Sequence, residues 1–371
     1  MINETNHSIC VLNNTLNPGG AEKNCVIICN ELVKKGYDVE LWIARLGNTP
    51  LINLLDKRVH VRSIPGKKIR YTFPHLKKLM ANSKSRTLLI FNIELLIPAF
   101  FINKLFRLNF KIVARSISTL SLAYDEQGFW SKKIWTNLIG YVFKRIDLII
   151  AQSMGMKEDL IKNFGIQGRK ITVIPNPAYN FSNNSNNLPL EQNEPVGLNE
   201  ILFIGRLTYA KGLFYLLEAF QQAQKSIPDL HLTMVGQGEL RQEIQKKITN
   251  LGLSEAVSLD GFQTKLLPYY TRSKATVLTS ICEGFPNVLV ESISVGTPVI
   301  SFDCPSGPKD IIIQNVNGIL IEFLNVNDFA KAIVDIVHGN IKFEKQKVIE
   351  SCDRFSLEKV IGRYENTLFS N

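Results

Sequence analysis

The amino-acid sequence predicts an α/β protein built from two doubly wound, Rossmann-like domains that face each other across a cleft. Short apolar runs rich in β-branched residues alternate with helical patterns, which is typical of parallel sheets covered by helices. The chain has 371 residues, too long for one ordinary core and suitable for two. A stretch rich in Asn, Ser and Pro, residues 179–200, interrupts the alternation, which then begins again.

The first half of the chain opens with a strand–helix–strand pattern. The sequence predicts a strand at 9–12, a turn-rich loop at 13–20, a helix at 21–35 that ends at Gly36, and a strand at 39–43. Further elements follow: strands at 59–64, 88–91, 111–114 and 148–151, and helices at 132–144 and 156–163. Residues 171–174 lead into Pro175-Asn176-Pro177, which must be extended. We therefore expect a first domain over residues 1–177 and a linker over 178–199.

The second half repeats this alternation in a domain expected over residues 200–354. The predicted strands are 201–204, 230–235, 257–259, 275–278, 299–302 and 318–321, and the predicted helices include 213–224 and 239–251. Residues 355–371 form a separate terminal segment. Ligands of doubly wound sheets bind beyond the carboxyl ends of the strands, so the loops at these ends are the candidate sites.

Positive charge is concentrated in the first half. Residues 1–177 carry 26 Lys and Arg against 12 Asp and Glu, a net +14, whereas residues 178–371 carry 17 against 21, a net −4. The densest cluster is Lys67, Lys68, Arg70, Lys77 and Lys78, with aromatic residues between them. This pattern favours an anionic partner such as a membrane surface or a phosphorylated lipid, although a solvated basic face has the same composition. Charge alone does not indicate nucleic-acid binding, because no motif for it accompanies the charge.

The compartment predicted from the sequence is the cytoplasm. The six cysteines are scattered without paired two-residue spacing, which argues against a zinc site and fits reduced thiols. The first eight residues are polar, unlike a signal peptide. The most membrane-like run, 88–106, contains Asn92, Glu94, Pro98 and Asn103, so we interpret it as a strand, a turn and a core helix. Any membrane contact is therefore expected to be peripheral.

One stretch, Ser280 to Glu291, organises the predicted site. An apolar strand ends in a polar turn that contains Glu283, and Pro286 then opens a helix that continues to about Val295. The N–H groups at the start of that helix form a ready anion site, near Asn287 and Val288. Glu283 precedes the helix and Glu291 lies about two turns along it, so their carboxylates suit hydroxyls on either side of a bound phosphate. The alternative is a strand–loop–helix unit with two solvated glutamates.

Other strand-end loops carry compatible chemistry. Arg206 follows a strand with Gly205, and Lys211 precedes the next helix, so their charges could hold a diphosphate as negative charge grows on it. Small residues end three further strands: Gly19 and Gly20, Gly236 and Gly238, and Gly261 beside Phe262. Glycine lets the backbone approach a phosphate, a sugar or a base. Each loop alone is also compatible with an ordinary turn.

The sequence lacks the motifs that are typical of several other classes of site. The sequence contains no Asp-x-Asp pair for a metal clamp, no histidines at metal spacing, no Walker loop and no Gly-x-Ser-x-Gly elbow. The dinucleotide fingerprint G-x-G-x-x-G is absent from the first strand–helix turn, which counts against a nicotinamide enzyme.

Taken together, these residues resemble the retaining glycosyltransferases of family four, which have the GT-B architecture. The most specific feature is the pair Glu283 and Glu291, with seven residues between them, in a Glu-Gly-Phe-Pro context. The other matching segments extend over nearly the whole chain: Gly19-Gly20-Ala21-Glu22, Gln152-Ser153, Ile174-Pro175-Asn176-Pro177, Gly205-Arg206 and Lys211-Gly212.

The resemblance implies a role for each matching residue. Arg206 and Lys211 would bind the donor diphosphate, Glu283 the donor sugar and Glu291 the ribose hydroxyls. The other implied donor-binding residues are Gly19, Gly20, Gly205, Gly236, Phe262, Gly284, Phe285, Asn287 and Val288. It also implies a terminal helix at 355–369 that crosses back onto the first domain, retention of anomeric configuration by front-face attack, and neither metal nor cofactor.

A narrower likeness lies at residues 303–312, Asp-Cys-Pro-Ser-Gly-Pro-Lys-Asp-Ile-Ile. It looks like a subgroup that builds bacterial surface glycans on polyprenyl diphosphate, often from UDP-GalNAc or UDP-galactose. Two positions depart from the family pattern: Asp310 stands where the subgroup usually has glutamate, and of the acceptor-side triplet found in many members only Arg115 remains.

The sequence therefore predicts a glycosyltransferase at the inner face of the cytoplasmic membrane that transfers a hexose or N-acetylhexosamine from a UDP-sugar to a lipid-linked glycan. Such an enzyme would serve the biosynthesis of a capsule, an O-antigen or a similar polysaccharide. Two alternatives stay open at this point: a nucleotide-sugar epimerase of the same architecture, and a non-catalytic nucleotide-sugar-binding scaffold.

Overall fold

The computed structural model describes residues 7–17, 19–45, 49–65, 69–116, 118–123, 129–178 and 199–369. The chain divides into two compact units, the first comprising residues 1–177 and 358–371 and the second residues 178–357. The predicted linker, 178–199, lies almost entirely outside the described residues, as do Lys67 and Lys68 of the basic cluster.

The first unit contains a parallel sheet of seven strands: β1 (Ser8–Asn13), β2 (Asp38–Ile43), β3 (His60–Ser63), β4 (Thr87–Ile90), β5 (Lys111–Arg115), β6 (Leu148–Ala151) and β7 (Ile171–Val173). Their order is β3-β2-β1-β4-β5-β6-β7, so the strand order reverses between β1 and β4. The sequence predicted the first six of these strands, with bounds that agree or differ by one residue at either end, and it did not identify β7 as a strand.

The helices of the first unit are α1 (Gly20–Lys34), α2 (Ile69–Asn82), α3 (Ile93–Leu105), α4 (Leu120–Ala123), α5 (Phe129–Phe143) and α6 (Met154–Phe164). The apolar run at 88–106 forms β4 and α3, as predicted. Of the described helices, none has both the length and the apolar character needed to span a bilayer. Helix α2 was not predicted, because its interior Pro74 and its many cations obscure the helical period.

The second unit contains a parallel sheet of six strands: β8 (Asn199–Ile204), β9 (Leu230–Val235), β10 (Val257–Gly261), β11 (Ala275–Leu278), β12 (Val299–Phe302) and β13 (Gly318–Ile321). Their order is β10-β9-β8-β11-β12-β13, with the reversal between β8 and β11. All six strands were predicted. Both predicted doubly wound, parallel-sheet folds are thus present, one in each unit.

The helices of the second unit are α7 (Leu213–Gln224), α8 (Arg241–Asn250), α9 (Leu267–Arg272), α10 (Asn287–Ser294), α11 (Pro308–Ile311), α12 (Val326–Val337) and α13 (Lys345–Ser351). The predicted start of α10 was wrong by one position. Pro286 has ψ 94°, which is extended, and it caps the helix from outside while its carbonyl accepts from the Leu289 N–H at 3.1 Å.

The last helix, α14 (Leu357–Phe369), belongs to the first unit. Lys35 pairs with Glu365 at 2.8 Å, and the Tyr37 and Phe369 rings stack with centroids 4.1 Å apart. The terminal segment was predicted to begin at Phe355, and that start was wrong for the helix. Phe355 is buried in the second unit, where its ring meets the edge of Phe285 at 5.7 Å between centroids.

Candidate active site

The topology of the second sheet brings two distant loops together. Because the strand order reverses between β8 and β11, the loops that follow these strands lie side by side at the carboxyl edge. The Ile281 N–H donates to the Ala210 carbonyl at 2.8 Å, and the Thr279 hydroxyl donates to the Lys211 carbonyl at 3.1 Å. Gly212 adopts φ +59°, and a Cβ there would lie 2.1 Å from the Thr279 carbonyl oxygen. The Lys211 loop and the Glu283 loop therefore form one structure.

Lys211 and Glu283 are in direct contact at this junction. The Lys211 Nζ lies 2.5 Å from the Glu283 Oε1, although the residues are 72 positions apart in the sequence. The Ser280 hydroxyl donates to the same oxygen at 2.6 Å. The Lys211 side chain is 23% exposed and that of Glu283 is 11% exposed. This partly buried ion pair therefore places a cation, Lys211, and a hydrogen-bond acceptor, Glu283, at fixed positions beside each other at the edge of the sheet.

Arg206 lies in the loop after β8 and is exposed. Among the described residues, its guanidinium makes no hydrogen bond or ion pair, so its charge is free to meet an anion. Gly205, before it, donates its N–H to the Val235 carbonyl at 2.9 Å, which fixes the start of the loop on β9.

The glycines of neighbouring strand ends pack backbone against backbone. Gly236 has φ +148°, and a Cβ there would lie 1.8 Å from the Gly205 carbonyl oxygen; its N–H donates to the Gly261 carbonyl at 2.8 Å. Gly238 likewise leaves no space, since a Cβ there would lie 2.2 Å from the Leu207 carbonyl oxygen. Beyond them, the Phe262 ring is 59% exposed. The strand ends from Gly236 to Phe262, called the rim below, thus combine tightly packed backbone with an exposed aromatic ring. The base-binding prediction requires both.

Helix α10 begins beside the Glu283 loop. Its N-cap residue, Pro286, provides no side-chain cap, and the N–H groups at the start of a helix lack the acceptors four residues earlier that later N–H groups have. A second loop supports this turn: a Cβ on Gly307 would lie 2.6 Å from the Pro286 ring, and the Ser306 hydroxyl donates to the Gly284 carbonyl at 3.3 Å. The segment 303–312, noted in the sequence for its likeness to a subgroup, thus holds the Glu283–Pro286 turn in place.

The side chains predicted along α10 divide into two groups. Phe285 is buried in the core of the second unit, so only its backbone is available to a donor. Glu291 is 9% exposed, and its Oε2 accepts a hydrogen bond from the Tyr270 hydroxyl at 2.8 Å. Burial, followed by the Glu291 charge, raises the pKa of Tyr270 well above its usual value, so the phenol stays protonated as a donor. Sequence reasoning missed Tyr270, because nothing local links it to a glutamate on another helix.

In the first unit, Gly19 and Gly20 lie where predicted, after β1. Gly19 is the N-cap of α1, and its carbonyl accepts from the Lys23 N–H at 2.9 Å. Two buried amide nitrogens near this loop in the sequence have no hydrogen-bond partner among the described residues: Asn13 Nδ2 at the end of β1 and Asn24 Nδ2 in α1. These two amide groups are candidate donors to a ligand. The sequence did not single them out, because Asn13 was interpreted only as the start of a turn.

Arg115, at the end of β5, is 2% exposed. Its Nε donates to the Tyr364 hydroxyl of α14 at 3.0 Å, its Nη2 donates to Asn176 Oδ1, and its Cζ lies 4.9 Å from the centre of the Phe91 ring. Nη1 is buried without a partner. The side chain is therefore enclosed by its own unit, and only Nη1 remains for another group. Its role on the acceptor side stays a prediction.

Thiols and metal-ligating groups add little to this site. All six cysteines are free, and Cys282 is half-buried beside Glu283; burial, then the Glu283 charge, raises its thiol pKa. Across the described ranges, the His, Cys, Asp and Glu side chains nowhere form a group of three that could hold a metal ion.

Comparison with known proteins assigns the family. Residues 18–178 match the family described as Glycosyltransferase Family 4, and residues 185–352 match the family described as Glycosyl transferases group 1. The chain belongs to glycosyltransferase family 4. The two matches together account for both units and include the Gly19, Arg206, Lys211, Glu283 and Glu291 positions.

Three glycosyltransferases with similar sequences share part of their length with this chain. An uncharacterized glycosyltransferase of Methanocaldococcus jannaschii is 32% identical over 60% of this chain and 56% of its own. The N-acetylgalactosamine-N,N'-diacetylbacillosaminyl-diphospho-undecaprenol 4-alpha-N-acetylgalactosaminyltransferase of Campylobacter jejuni is 29% identical over 60% and 59%. A lipopolysaccharide 1,6-galactosyltransferase of Salmonella typhimurium is 28% identical over 60% and 62%. The matched region thus spans somewhat more than half of these relatives.

Solved structures of other proteins share the fold over almost the full chain. The lipopolysaccharide outer core galactosyltransferase WaaB, in its apo form, superimposes with a TM-score of 0.76 at 22% identity, covering 98% of this chain and 99% of that one. Anabaena HepE in complex with UDP and glucose gives 0.78 at 19% identity, covering 98% and 100%. The family 4 chain therefore has the predicted GT-B fold.

Proposed function

We propose that this chain is a retaining, metal-independent glycosyltransferase. It transfers a hexose or N-acetylhexosamine, galactose or N-acetylgalactosamine in particular, from a UDP-sugar to a glycan linked to polyprenyl diphosphate. The products serve a bacterial surface polysaccharide such as a capsule or an O-antigen. The enzyme works in the cytoplasm at the inner face of the membrane.

The observation that carries this proposal is the group of Arg206, Lys211 and Glu283 at the switch point of the second sheet. The Arg206 guanidinium is exposed and makes no ion pair with any described residue, and the Lys211 ammonium, with 23% side-chain exposure, contacts Glu283 in the loop that precedes α10. The N-terminus of that helix adds partial positive charge. Such an arrangement stabilises negative charge that develops on a leaving diphosphate. Glu283, held by Lys211 and Ser280, presents a carboxylate acceptor to sugar hydroxyls.

In the proposed reaction, the bond between the sugar C1 and the β-phosphate oxygen breaks as an acceptor hydroxyl oxygen attacks C1 from the same face. The departing phosphate oxygen takes the proton of that hydroxyl. When the donor binds, its diphosphate forms ion pairs with Arg206 and with Lys211, and Lys211 remains paired with Glu283. The Gly236–Phe262 rim contacts the base, and Glu291, oriented by Tyr270, accepts from the ribose.

Two kinds of comparison support the choice of substrates. The Campylobacter relative acts on a diphospho-undecaprenol acceptor with an N-acetylgalactosaminyl donor, and the Salmonella relative is a galactosyltransferase. The structural neighbour HepE has been crystallised with UDP and glucose. These names agree with the donor and acceptor classes expected from residues 303–312.

The clamp is tested by changing Arg206 or Lys211 to Ala and measuring transfer from UDP-galactose and UDP-GalNAc to a polyprenyl-diphosphate-linked acceptor. Loss of one charge-assisted contact to the leaving group should lower the rate roughly 100-fold or more. Lys225→Ala, which removes an exposed cation after α7 at the other edge of the sheet, is the matched control and should keep full activity. Unchanged turnover of the clamp variants would remove both residues from the mechanism.

The alternatives differ in what they do without an acceptor. An epimerase converts the UDP-sugar when no acceptor is present, whereas a transferase awaits the acceptor and a scaffold only binds. Identifying the anomer of the product by NMR tests retention, and activity after exhaustive chelation tests metal independence.

A further inference from the structure

The first unit contains a cavity of about 870 Å³ outside the candidate active site. It is lined by the end of α3, by the residues that lead into β5 and by the turn before β6. These segments lie at the amino ends of the strands. Arg115 and the Gly19 loop lie at the carboxyl ends, and the length of β5 separates Lys111 from Arg115 by roughly 13 Å. The cavity is thus distinct from the site already described.

The cavity is strongly basic. Four cations line it, Lys104, Arg107, Lys111 and Arg145, against a single carboxylate, Asp147. The Asp147 carboxylate is already engaged, since its Oδ2 accepts from the Ile112 N–H at 2.7 Å. Lys104 and Arg107 are exposed and form no ion pair with any described residue. Lys111 Nζ already donates to the Leu368 carbonyl at 3.0 Å, so the charge argument depends on Lys104 and Arg107. Two exposed cations without a counter-charge among the described residues attract an anionic ligand.

The loop that carries Arg107 is held in a defined shape. Asn103 donates from Nδ2 to the Phe110 carbonyl at 3.0 Å and accepts from the Phe110 N–H at 3.0 Å. Between these anchors, Arg107 and Asn109 have φ +49° and +57°. Left-handed backbone at an arginine is uncommon and costs free energy. The cavity is therefore formed before a ligand arrives.

Exposed apolar side chains are adjacent in the sequence to residues that line the cavity. Leu105 is 69% exposed, Phe101 39% and Phe106 36%, all at the end of α3. Tyr141 is also exposed, and the guanidinium of Arg145 lies 3.7 Å from the centre of its ring. Lys77, from the basic cluster noted in the sequence, places its Nζ 3.7 Å over the Phe106 ring. Aromatic and aliphatic groups among cations are typical of surfaces that enter the headgroup region of a bilayer.

We propose that this cavity binds the phosphate-bearing headgroup of an anionic lipid, while Leu105 and its aromatic neighbours enter the bilayer interface. This inference rests on the proposed function, because a lipid-linked acceptor requires the enzyme at a membrane, and it assigns that contact to particular residues. The positive charge of the cavity favours an anionic lipid over a second copy of the chain. A second copy of the chain, meeting this face symmetrically, would bring four cations against four cations.

The test uses the purified full-length chain and vesicles of phosphatidylcholine with or without phosphatidylglycerol. The wild-type protein should bind the anionic vesicles but not the neutral ones, and added salt should weaken the binding. Lys104→Glu with Arg107→Glu should lower affinity about 100-fold, since each cation near an anionic surface contributes severalfold to binding and its reversal removes more. Leu105→Asn should also weaken binding, but with less salt dependence.

A matched control reverses two exposed cations at the far edge of the same sheet. Lys57→Glu with Arg62→Glu, beside and within β3, changes the net charge equally and should keep vesicle binding. Vesicle binding retained by the Lys104/Arg107 variant, an equal loss in the control, or wild-type binding that ignores lipid charge and salt would each overturn the proposal. Binding of inorganic phosphate without any binding of vesicles would also overturn it.

The outcome is separable from the proposed function. Donor-dependent transfer to a water-soluble acceptor analogue should be unchanged in the Lys104/Arg107 variant, because the cavity lies at the other edge of the sheet from the acceptor-side residues. Charge-dependent vesicle binding in a protein that transfers no sugar would support this surface and refute the proposed function.

Discussion

At the scale of single residues, the candidate site depends on side chains that hold other side chains in place. Ser280 and Lys211 converge on one oxygen of Glu283, and Tyr270 orients Glu291. Lys211, Glu283 and Glu291 are marked by the family resemblance, whereas the hydrogen bonds from Ser280 and Tyr270 that support the two glutamates were not predicted. The chemistry proposed for the two glutamates therefore requires a supporting hydrogen bond for each.

Tyr270→Phe tests the support of Glu291. The change leaves a carboxylate at 9% exposure without its phenolic donor, so we expect a loss of about 1–3 kcal/mol in the free energy of unfolding and a higher KM for the UDP-sugar. Denaturant unfolding and initial-rate kinetics measure the two effects.

The neighbouring Tyr269→Phe provides the control, since its hydroxyl donates to Asp260 at 3.0 Å, away from Glu291. A Tyr270 variant whose donor KM matches that of the Tyr269 variant would show that Tyr270 does not position the ribose-binding group.

At the scale of elements, the glycines at the strand ends decide how closely the loops of the second sheet pack. A Cβ at Gly236 or Gly238 would meet a neighbouring carbonyl oxygen, and a Cβ at Gly205 would lie 2.9 Å from the Phe203 ring. The close packing of the backbone that a nucleotide base would contact therefore depends on glycines at the ends of adjacent strands.

Gly236→Ala tests this packing. Its φ of +148° and the 1.8 Å approach to Gly205 predict a destabilisation of at least ~2–3 kcal/mol and weaker binding of UDP. Thermal unfolding and calorimetric titration with UDP check the two parts.

Gly252→Ala separates backbone strain from close approach, because Gly252 has φ +72° but open space around it. This control should lose only about 1–2 kcal/mol and bind UDP normally. Equal UDP affinity in both variants would show that the rim does not contact the base.

At the scale of the whole molecule, each unit has its own core, and the last helix returns to the first unit. Helix α14 is fastened there by the buried Arg115–Tyr364 hydrogen bond and by the surface pair of Lys35 and Glu365. Burial raises the pKa of Tyr364, which keeps its hydroxyl protonated beside the guanidinium. The final helix thus completes the first unit rather than extending the second.

Tyr364→Phe should weaken that attachment. It removes the acceptor of Arg115 Nε in a guanidinium whose Nη1 already lacks a partner, so we expect the first unit to lose about 1–3 kcal/mol of stability. Hydrogen exchange of β5 and α14 amides measures the loss locally. Lys35→Ala, which removes only the surface pair, should change this exchange little; an equal effect from both variants would argue against the buried arginine as the main attachment.

The sequence by itself determined the elements and the residue types at their ends. Periodicity and glycine positions predicted every strand of both sheets except β7, and the Glu283–Glu291 motif predicted the family. Local pattern misplaced only boundaries, as at Pro286 and Phe355, and missed helices such as α2, whose composition hides their period. Only the tertiary structure decided that β8 lies beside β11, that Lys211 meets Glu283, and that Arg115 is buried under α14. Strand order and side-chain partners depend on hydrogen bonding and packing between distant segments, which no local periodicity encodes.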